Sequence, residues 1–299
     1  MVVSVQLSNA FHCQLDEVVN STPAFEFMQD GHLTNPIREH IRSIAATLPD
    51  IIDAAKQVER LLESPGYAVV RNLVPINIDE ERGLRGVACF NALLGSPFHM
   101  MESIRLWEPL GVRFDTDSFR ANGIGNNPLH IDGVNTTYPP DCLLLLCLRP
   151  DPAGGGANVI ANLQTAVSKL SESEVIELQQ PIFEEGKFFG IVGVGPELRP
   201  FAVLTRSEVG TWRVRVSGKM LPVMPPGRPK ELITRMVELL DEGRQRVPLS
   251  AGEGLYINQY QWAHGREPLG PNQKAINEHR RRHFVQSFIR RTDLAEMPL

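Results

Sequence analysis

The chain has 299 residues, a formal net charge of −5, 42% hydrophobic residues and 22% charged residues. These proportions belong to a globular protein with a sizeable core, and the negative balance excludes a global basic field for nucleic acid or an anionic membrane. The longest apolar runs, such as 142–148, are too short for a bilayer span, and the first residues lack a basic stretch followed by an apolar one. The expectation is therefore a cytoplasmic protein that handles a small molecule, with no nucleic-acid or membrane partner and an oligomeric state left open.

In chain order, apolar residues at three- and four-residue spacing predict helices over 37–46 and 48–62. Ser64-Pro65-Gly66 breaks the pattern, 67–74 reads as a strand stopped by Pro75, and 79–94 returns to helix until Gly95-Ser96-Pro97. From about residue 104, strand-like runs alternate with turn clusters. Strands are predicted at 105–114, at 142–148 (apolar on both faces, so central in a sheet) and from 158, after the turn 151–156. A helix is predicted over 163–178, capped by Ser171 or Ser173, then strands at 188–193, 201–204 and 211–216. A helix at 230–242 and strands at 254–258 and 283–290 complete the series. Many short strands with turn signals predict a sandwich or barrel. With no linker in sight, one domain is expected over 1–299: a helical extension at 1–64 packed on a β-region at 65–291 with inserted helices. Cys13, Cys89, Cys142 and Cys147 are scattered, with no Cys-x-x-Cys, which fits reduced thiols better than disulfides or a structural zinc site.

His130-Ile131-Asp132 and, far downstream, His264 carry the chemistry. Two imidazoles and one carboxylate are the set that binds a non-haem Fe(II) on one face and leaves the other face open. The pair alone carries no weight: 8 His, each with 35 acids among 299 residues available two positions on, give about one His-x-acid by chance, and there is one. In extended chain, residues two apart share a face, so His130 and Asp132 converge while Ile131 points away. The third ligand must come from a neighbouring strand, and His264 follows the apolar run 254–258.

The neighbouring residues add the weight. Asn-Pro-Leu-His130-Ile-Asp132 is followed by Tyr138-Pro-Pro-Asp-Cys-Leu-Leu-Leu-Leu-Cys-Leu-Arg-Pro-Asp-Pro-Ala-Gly-Gly-Gly156. Then come Gly254-Leu-Tyr-Ile-Asn-Gln-Tyr-Gln-Trp-Ala-His264-Gly-Arg266 and Arg280-Arg-Arg-His-Phe-Val-Gln-Ser-Phe-Ile-Arg290. Over roughly residues 65 to 291 this series resembles the Fe(II)/2-oxoglutarate-dependent dioxygenases of the taurine dioxygenase and clavaminate synthase-like superfamily. The resemblance implies a mainly β fold with flanking helices (α+β), whose core is a double-stranded β-helix, or jelly roll. It implies Fe(II) on His130, Asp132 and His264, with 2-oxoglutarate and O2 as cosubstrates.

In such enzymes 2-oxoglutarate chelates iron through its 2-oxo acid end, and its distal carboxylate needs a partner. A planar guanidinium gives a bidentate match that Lys cannot. The family's Arg-x-hydrophobic pattern points to Arg282, with Arg280 of the same parity in reserve. The position where the family places a Thr after the Gly-rich turn is Asn158 here, whose amide can donate instead. Retention of the carboxylate ligand Asp132 argues against halogenation. Hydroxylation, desaturation or ring closure at an unactivated C–H is expected, on a small molecule such as an amino acid or a peptide-derived natural-product intermediate. Gln286 stands where related enzymes often carry a second Arg. It is taken as a substrate contact together with Asn135 in the loop 133–138 and Arg113. Asn258 is expected to steady a loop or metal ligand, Trp262 to pack, and Arg266 either to pair with Glu267 or Asp132 or to be exposed. The rival readings are a non-catalytic jelly-roll binding protein and a metal-dependent hydrolase using the same triad to activate water.

Overall fold

The computed structural model describes residues 3–99, 105–134, 136, 139–184, 200–206 and 210–291. The chain starts with β1 (Ser4–Gln6), then α1 (Asn9–Ser21), α2 (Asn35–Ala45) and α3 (Pro49–Glu63). β2 (Tyr67–Arg71), α4 (Glu80–Leu94), β3 (Ser96–Phe98), β4 (Glu108–Gly111) and β5 (Asn127–His130) follow. β6 (Cys142–Arg149), β7 (Asn158–Asn162), α5 (Leu163–Val167), α6 (Glu172–Leu178), β8 (Leu204–Arg206) and β9 (Trp212–Val214) lead to a 3-10 turn at Gly218–Met220. α7 (Arg228–Glu242), β10 (Gln245–Val247), β11 (Gly254–Asn258), β12 (Trp262–Arg266) and β13 (His283–Arg290) end the described chain.

The strands form a larger sheet in the order β1-β2-β11-β6-β13-β3, with β4 also on β13, and a smaller sheet β10-β7-β12-β5. Every pairing in the two sheets is antiparallel except β1 with β2. β6 shows why its run of leucines has no polar face. Leu143, Leu145 and Cys147 point into the space between the sheets, beside Ile160 and Trp262 of the smaller one. Leu144 and Leu146 point outward, beneath residues of α1–α4 such as Phe11, Val58 and Phe90. A strand covered on both sides must be apolar throughout, and each fully buried Leu contributes about 1.5–3 kcal/mol. The outer face of the smaller sheet is covered in turn: Val159, Ala161 and Ala263 pack with Leu232, Ile233 and Met236 of α7.

Helix starts follow their caps. The Asp79 side chain accepts from Arg82 N to open α4, and Ser8 accepts from Phe11 N to open α1. The helix expected over 163–178 is two: Ser171 accepts from Glu174 N while the Glu174 carboxylate accepts from Ser171 N. This reciprocal cap starts a new helix instead of continuing the old one. The strand expected at 105–114 shortens to β4, and that at 211–216 to β9. The strand expected at 201–204 shifts to β8, Phe201 keeping a single bridge to Phe183. The strand expected at 188–193 lies outside the described residues.

Candidate active site

β5 and β12 run side by side in the smaller sheet, with His130 and His264 as direct partners across the ladder. Their ring centroids are 4.2 Å apart. Asp132 follows two residues after His130, just past the strand end, and its carboxylate reaches both rings. Its Oδ1 lies 3.5 Å from His130 Nε2 and its Oδ2 lies 3.3 Å from His264 Nε2. Bond lengths near 2.1 Å place adjacent ligands of one ion about 3 Å apart, so the three groups fit a single metal. One ligand atom from each residue lies within 4.8 Å of the others.

The lone pair of His130 is aimed. His130 Nδ1 donates to the Pro128 carbonyl at 2.7 Å, which leaves Nε2 as the acceptor facing the centre. Burial, the Lys219 ammonium and His264 lower the His130 imidazole to about 3. Burial by itself would raise the Asp132 carboxyl, but the imidazoles of His264 and His130 outweigh it and hold the group well below the usual carboxylate range. A neutral imidazole and an ionised carboxylate are the forms a metal takes. Asp132 is further fixed from two sides: Gln286 Nε2 donates to its Oδ2 at 2.5 Å, and its backbone N–H donates to Gln259 Oε1 at 2.7 Å. Gln259, itself buried, donates onward to the Pro140 carbonyl at 2.9 Å.

The same pocket receives two guanidinium groups. Arg282 is 4% exposed, and its guanidinium carbon lies 3.9 Å from the centre of the Phe284 ring. Its Nη1 has one long contact, 3.4 Å to the Leu110 carbonyl, and its Nε has no partner. Burial and the neighbouring Arg266 lower it to about 9. Arg266 is 2% exposed and spends Nη1 and Nη2 on the carbonyls of Glu267 and Gly123, at 2.8 and 2.7 Å. Among the described residues neither guanidinium has a carboxylate within ion-pair distance. Asn158 sits opposite Arg266 in the sheet, with its amide Nδ2 buried and unpartnered. Buried donors are nearly always paired, yet Arg282 Nε, Arg266 Nε and Asn158 Nδ2 around this one pocket are not, which is the lining an anionic ligand would suit. The Gly-rich turn lets Arg282 approach. Gly156 adopts φ +71°, and a Cβ there would stand 2.6 Å from the Leu269 side chain and 3.4 Å from Arg282 Cδ.

The sequence-based residues divide clearly. His130, Asp132, His264, Asn158, Arg282 and Gln286 line one pocket. Gln286 differs from expectation in that its amide is engaged with the Asp132 carboxylate. Arg280 is not brought there: it lies exposed on a 3-10 turn, Glu278–Arg280, and lines a separate surface depression with Pro152 and Asn277. Arg113 also stays outside, exposed and ion-paired with Asp115 at 2.8 Å, because β4 ends at Gly111 and the alternation does not extend to it. Asn135 lies outside the described residues. Arg266, expected to pair with a carboxylate or to be exposed, is buried on backbone carbonyls. Asn258 ties its strand to α3 by donating to the Leu62 carbonyl at 3.0 Å, and Trp262 packs edge-on to Tyr67. Two participants escaped sequence reasoning. Gln259 gave no signal, and neither did Lys219, whose Nζ donates to His130 Nε2 at 2.7 Å.

Comparisons with known proteins agree with this arrangement. No curated protein matches the chain in sequence. The fold matches asparagine oxygenase, solved with Fe(II), 2S,3S-3-hydroxyasparagine and succinate, at TM-score 0.73 and 19% identity over 96% of this chain and 93% of that one. It also matches the non-heme iron oxygenase OrfP, solved with Fe and alpha-ketoglutaric acid, at TM-score 0.69 and 17% identity over 97% and 94%. The two facing sheets with flanking helices are thus the expected jelly-roll core. Residues 31–287 match the family described as taurine catabolism dioxygenase TauD, TfdA. The chain belongs to the TauD/TfdA family of dioxygenases.

Proposed function

We propose that this protein is an Fe(II)- and 2-oxoglutarate-dependent oxygenase that hydroxylates an unactivated C–H of a small molecule, with an amino acid or amino-acid derivative as the substrate class. Desaturation or ring closure are the related outcomes of the same hydrogen abstraction. The observation that carries this reading is a pocket with two kinds of receptor. One is an open-faced His130–Asp132–His264 triad; the other is a buried Arg282 with no acidic partner among the described residues. The triad alone fits a metal hydrolase equally well, but a hydrolase has no use for a buried guanidinium awaiting a carboxylate. The solved relatives carry hydroxylated amino acids, asparagine oxygenase with 2S,3S-3-hydroxyasparagine and an OrfP mutant with (3S)-hydroxy-L-Arg, which supports the substrate class.

When bound, iron with 2-oxoglutarate and O2 supplies a two-electron oxidant, the cosubstrate being decarboxylated to succinate. The chain's residues do the rest. His130, Asp132 and His264 hold the metal through one face. Arg282 takes the distal carboxylate of 2-oxoglutarate as a bidentate, charge-assisted pair, and the Asn158 amide donates to the same group. Gln286 and Gln259 keep Asp132 from rotating away. Leu110 and Leu145 line the pocket beside these groups and keep its dielectric low. We place the reaction in one domain of a cytoplasmic enzyme. Among the described residues no helix is long and apolar enough to cross a membrane.

The test is succinate formation from 2-oxoglutarate under Fe(II) and O2, with a panel of amino acids. Turnover in the wild type and its loss in Asp132→Ala is the expected result. Activity toward an ester or amide bond that survives Arg282→Met would put the hydrolase reading in its place.

A further inference from the structure

Two polar rows cross the smaller sheet. His130 and His264 face each other in one, across the ladder of β5 and β12. In the other, Arg266 of β12 stands between Asn127 of β5 and Asn158 of β7, a ladder partner of each. All of these side chains line the same pocket. His264 and Arg266 are two residues apart on one strand, so they share a face and lie about 7 Å apart along it. Gly265 between them lets β12 press on β5: a Cβ there would stand 2.7 Å from the Asn127 carbonyl oxygen. The first row supplies metal ligands, and nothing about metal binding requires the second.

Arg266 is pinned in place. Its Nη1 and Nη2 donate to the Glu267 and Gly123 carbonyls, and Leu269 N donates to the Ile124 carbonyl at 2.9 Å. These bonds hold the segment 117–125 against the end of β12, and Ala121 of that segment joins the pocket wall. The Arg266 Nε stays buried, with no hydrogen-bond partner among the described residues. The same holds for Asn158 Nδ2 beside it and for Arg282 Nε, which enters next to the start of β13 in the larger sheet. A buried donor left unmade is costly, and one carboxylate lying between the two guanidinium groups meets all three. The spacing of the rows also selects a length. In an extended 2-oxo acid with two methylenes, three C–C bonds of about 1.5 Å put the far carboxylate carbon roughly 4 Å beyond the oxo carbon. With a metal–ligand bond of about 2 Å added, the span approaches the rise of two strand residues. A chain one methylene shorter stops before the second row. A chain one methylene longer meets a guanidinium that cannot retreat.

We propose that Arg266 is a specificity-determining residue of the cosubstrate site: its Nε donates to the distal carboxylate opposite Arg282, and its pinned guanidinium sets the length of 2-oxo diacid that the pocket accepts. The inference rests on the oxygenase reading and adds to it the residue that makes the protein choose a five-carbon diacid over its four- and six-carbon homologues. Arg282 supplies attraction for any far carboxylate; Arg266 fixes where that carboxylate must end.

The experiment is anaerobic calorimetric titration of the Fe(II)-loaded protein with oxaloacetate, 2-oxoglutarate and 2-oxoadipate, which differ by one methylene at each step. Wild type, Arg266→Met and Arg266→Lys are compared. Wild type is expected to favour 2-oxoglutarate over both homologues by about tenfold or more. Arg266→Met should bind 2-oxoglutarate at least about tenfold more weakly and lose most of its preference over 2-oxoadipate, because the shorter side chain vacates the end of the pocket. Arg266→Lys keeps the charge and a donor for the Gly123 carbonyl but lacks the Nε–H, and should still lose about fivefold or more for 2-oxoglutarate. Fe(II) affinity, measured alongside, should stay within about threefold of wild type in both. Where Arg266→Met fails to fold or to hold Fe(II), Arg266→Lys alone decides. The proposal is overturned if the variants bind 2-oxoglutarate as wild type does, if Arg266→Met weakens all three acids by the same factor, or if wild type shows no length preference. Wild type that binds Fe(II) but no 2-oxoglutarate removes the oxygenase reading and this inference with it, whereas intact 2-oxoglutarate binding unaltered by either substitution removes only the role of Arg266.

Discussion

Arg282→Met separates a ligand-binding guanidinium from a structural one, because the two roles move stability and affinity in opposite directions. Arg282 is buried, its Nε has no partner, and burial with Arg266 nearby lowers it from the usual guanidinium range to about 9. A drop of that size corresponds to a penalty on the charged form on the order of 5 kcal/mol, an upper bound because the pocket relaxes and hydrates. Methionine removes this cost and keeps much of the stem's packing. It gives up the stacking on Phe284, a loss of roughly 0.5–2 kcal/mol. The ligand-free variant is therefore expected to be as stable as wild type or more so, its Tm unchanged or a few degrees higher at roughly 2–4 °C per kcal/mol. Affinity for 2-oxoglutarate should fall steeply, since removing one partner of a buried charge pair costs about 2–5 kcal/mol, or about thirtyfold and upward in Kd. Arg282→Lys should recover part of this loss, keeping charge but not the bidentate fork. Denaturant unfolding of the ligand-free protein and anaerobic calorimetry with Fe(II) and 2-oxoglutarate give the two numbers. A variant that loses more than about 2 kcal/mol of stability while binding 2-oxoglutarate within about threefold of wild type would refute the reasoning and make Arg282 a structural residue.

Gln259→Leu leaves the Asp132 N–H and the Pro140 carbonyl without their partner. Metal affinity should weaken by about 10–100-fold in a direct titration, with a folding cost of about 1–3 kcal/mol; unaltered metal affinity would show that Asp132 needs no such hold. Because His130 is lowered from 6.5 to about 3, the unfolded chain takes up a proton between these values that the native metal-free protein refuses. Stability must therefore fall as pH drops through this window, by roughly 2 kcal/mol between pH 6.5 and 5. Asp132, also depressed, adds loss in the same direction at lower pH. Denaturant unfolding should show this loss in wild type and a smaller one in His130→Gln; equal slopes would contradict the assignment. Gly155→Ala would drive a Cβ into the Gly270 backbone N, a contact no rotamer relieves. A loss of about 1–3 kcal/mol in unfolding experiments is expected, and none should be seen at Gly154, where a Cβ meets open space, beyond the smaller strain of its φ of +79°.

The triad was legible in the sequence because strand alternation is local. His130 and Asp132 share a face by parity, and β6 shows its central place through an unbroken apolar run. Arg282 and Arg280 have the same parity, so alternation could not choose between them. The 3-10 turn at Glu278–Arg280 breaks the extended chain just before Arg282, which leaves Arg282 in the pocket of the triad and Arg280 outside it. Arg113 was misplaced for a related reason: the pattern was extended past the end of β4. The helix α1 falls inside the helical extension expected over 1–64, and its bounds follow from local signals, a Ser8 cap and Phe11, Leu15, Val18 and Val19 buried on one face. Lys219 and Gln259 left no local trace. Lys219 owes its place to the bridge between Ser217 and His130, and Gln259 reaches Asp132 across 127 positions of sequence. Contacts of that kind are set by how two sheets fold together, and residue spacing does not record them.

The most direct measurement is a crystal structure of the protein grown anaerobically with Fe(II) and 2-oxoglutarate. The expected density shows one metal on His130 Nε2, Asp132 and His264 Nε2, with the distal carboxylate of 2-oxoglutarate on the Arg282 guanidinium and the Asn158 amide. A metal bound elsewhere, or a carboxylate that leaves Arg282 unpaired, would contradict it.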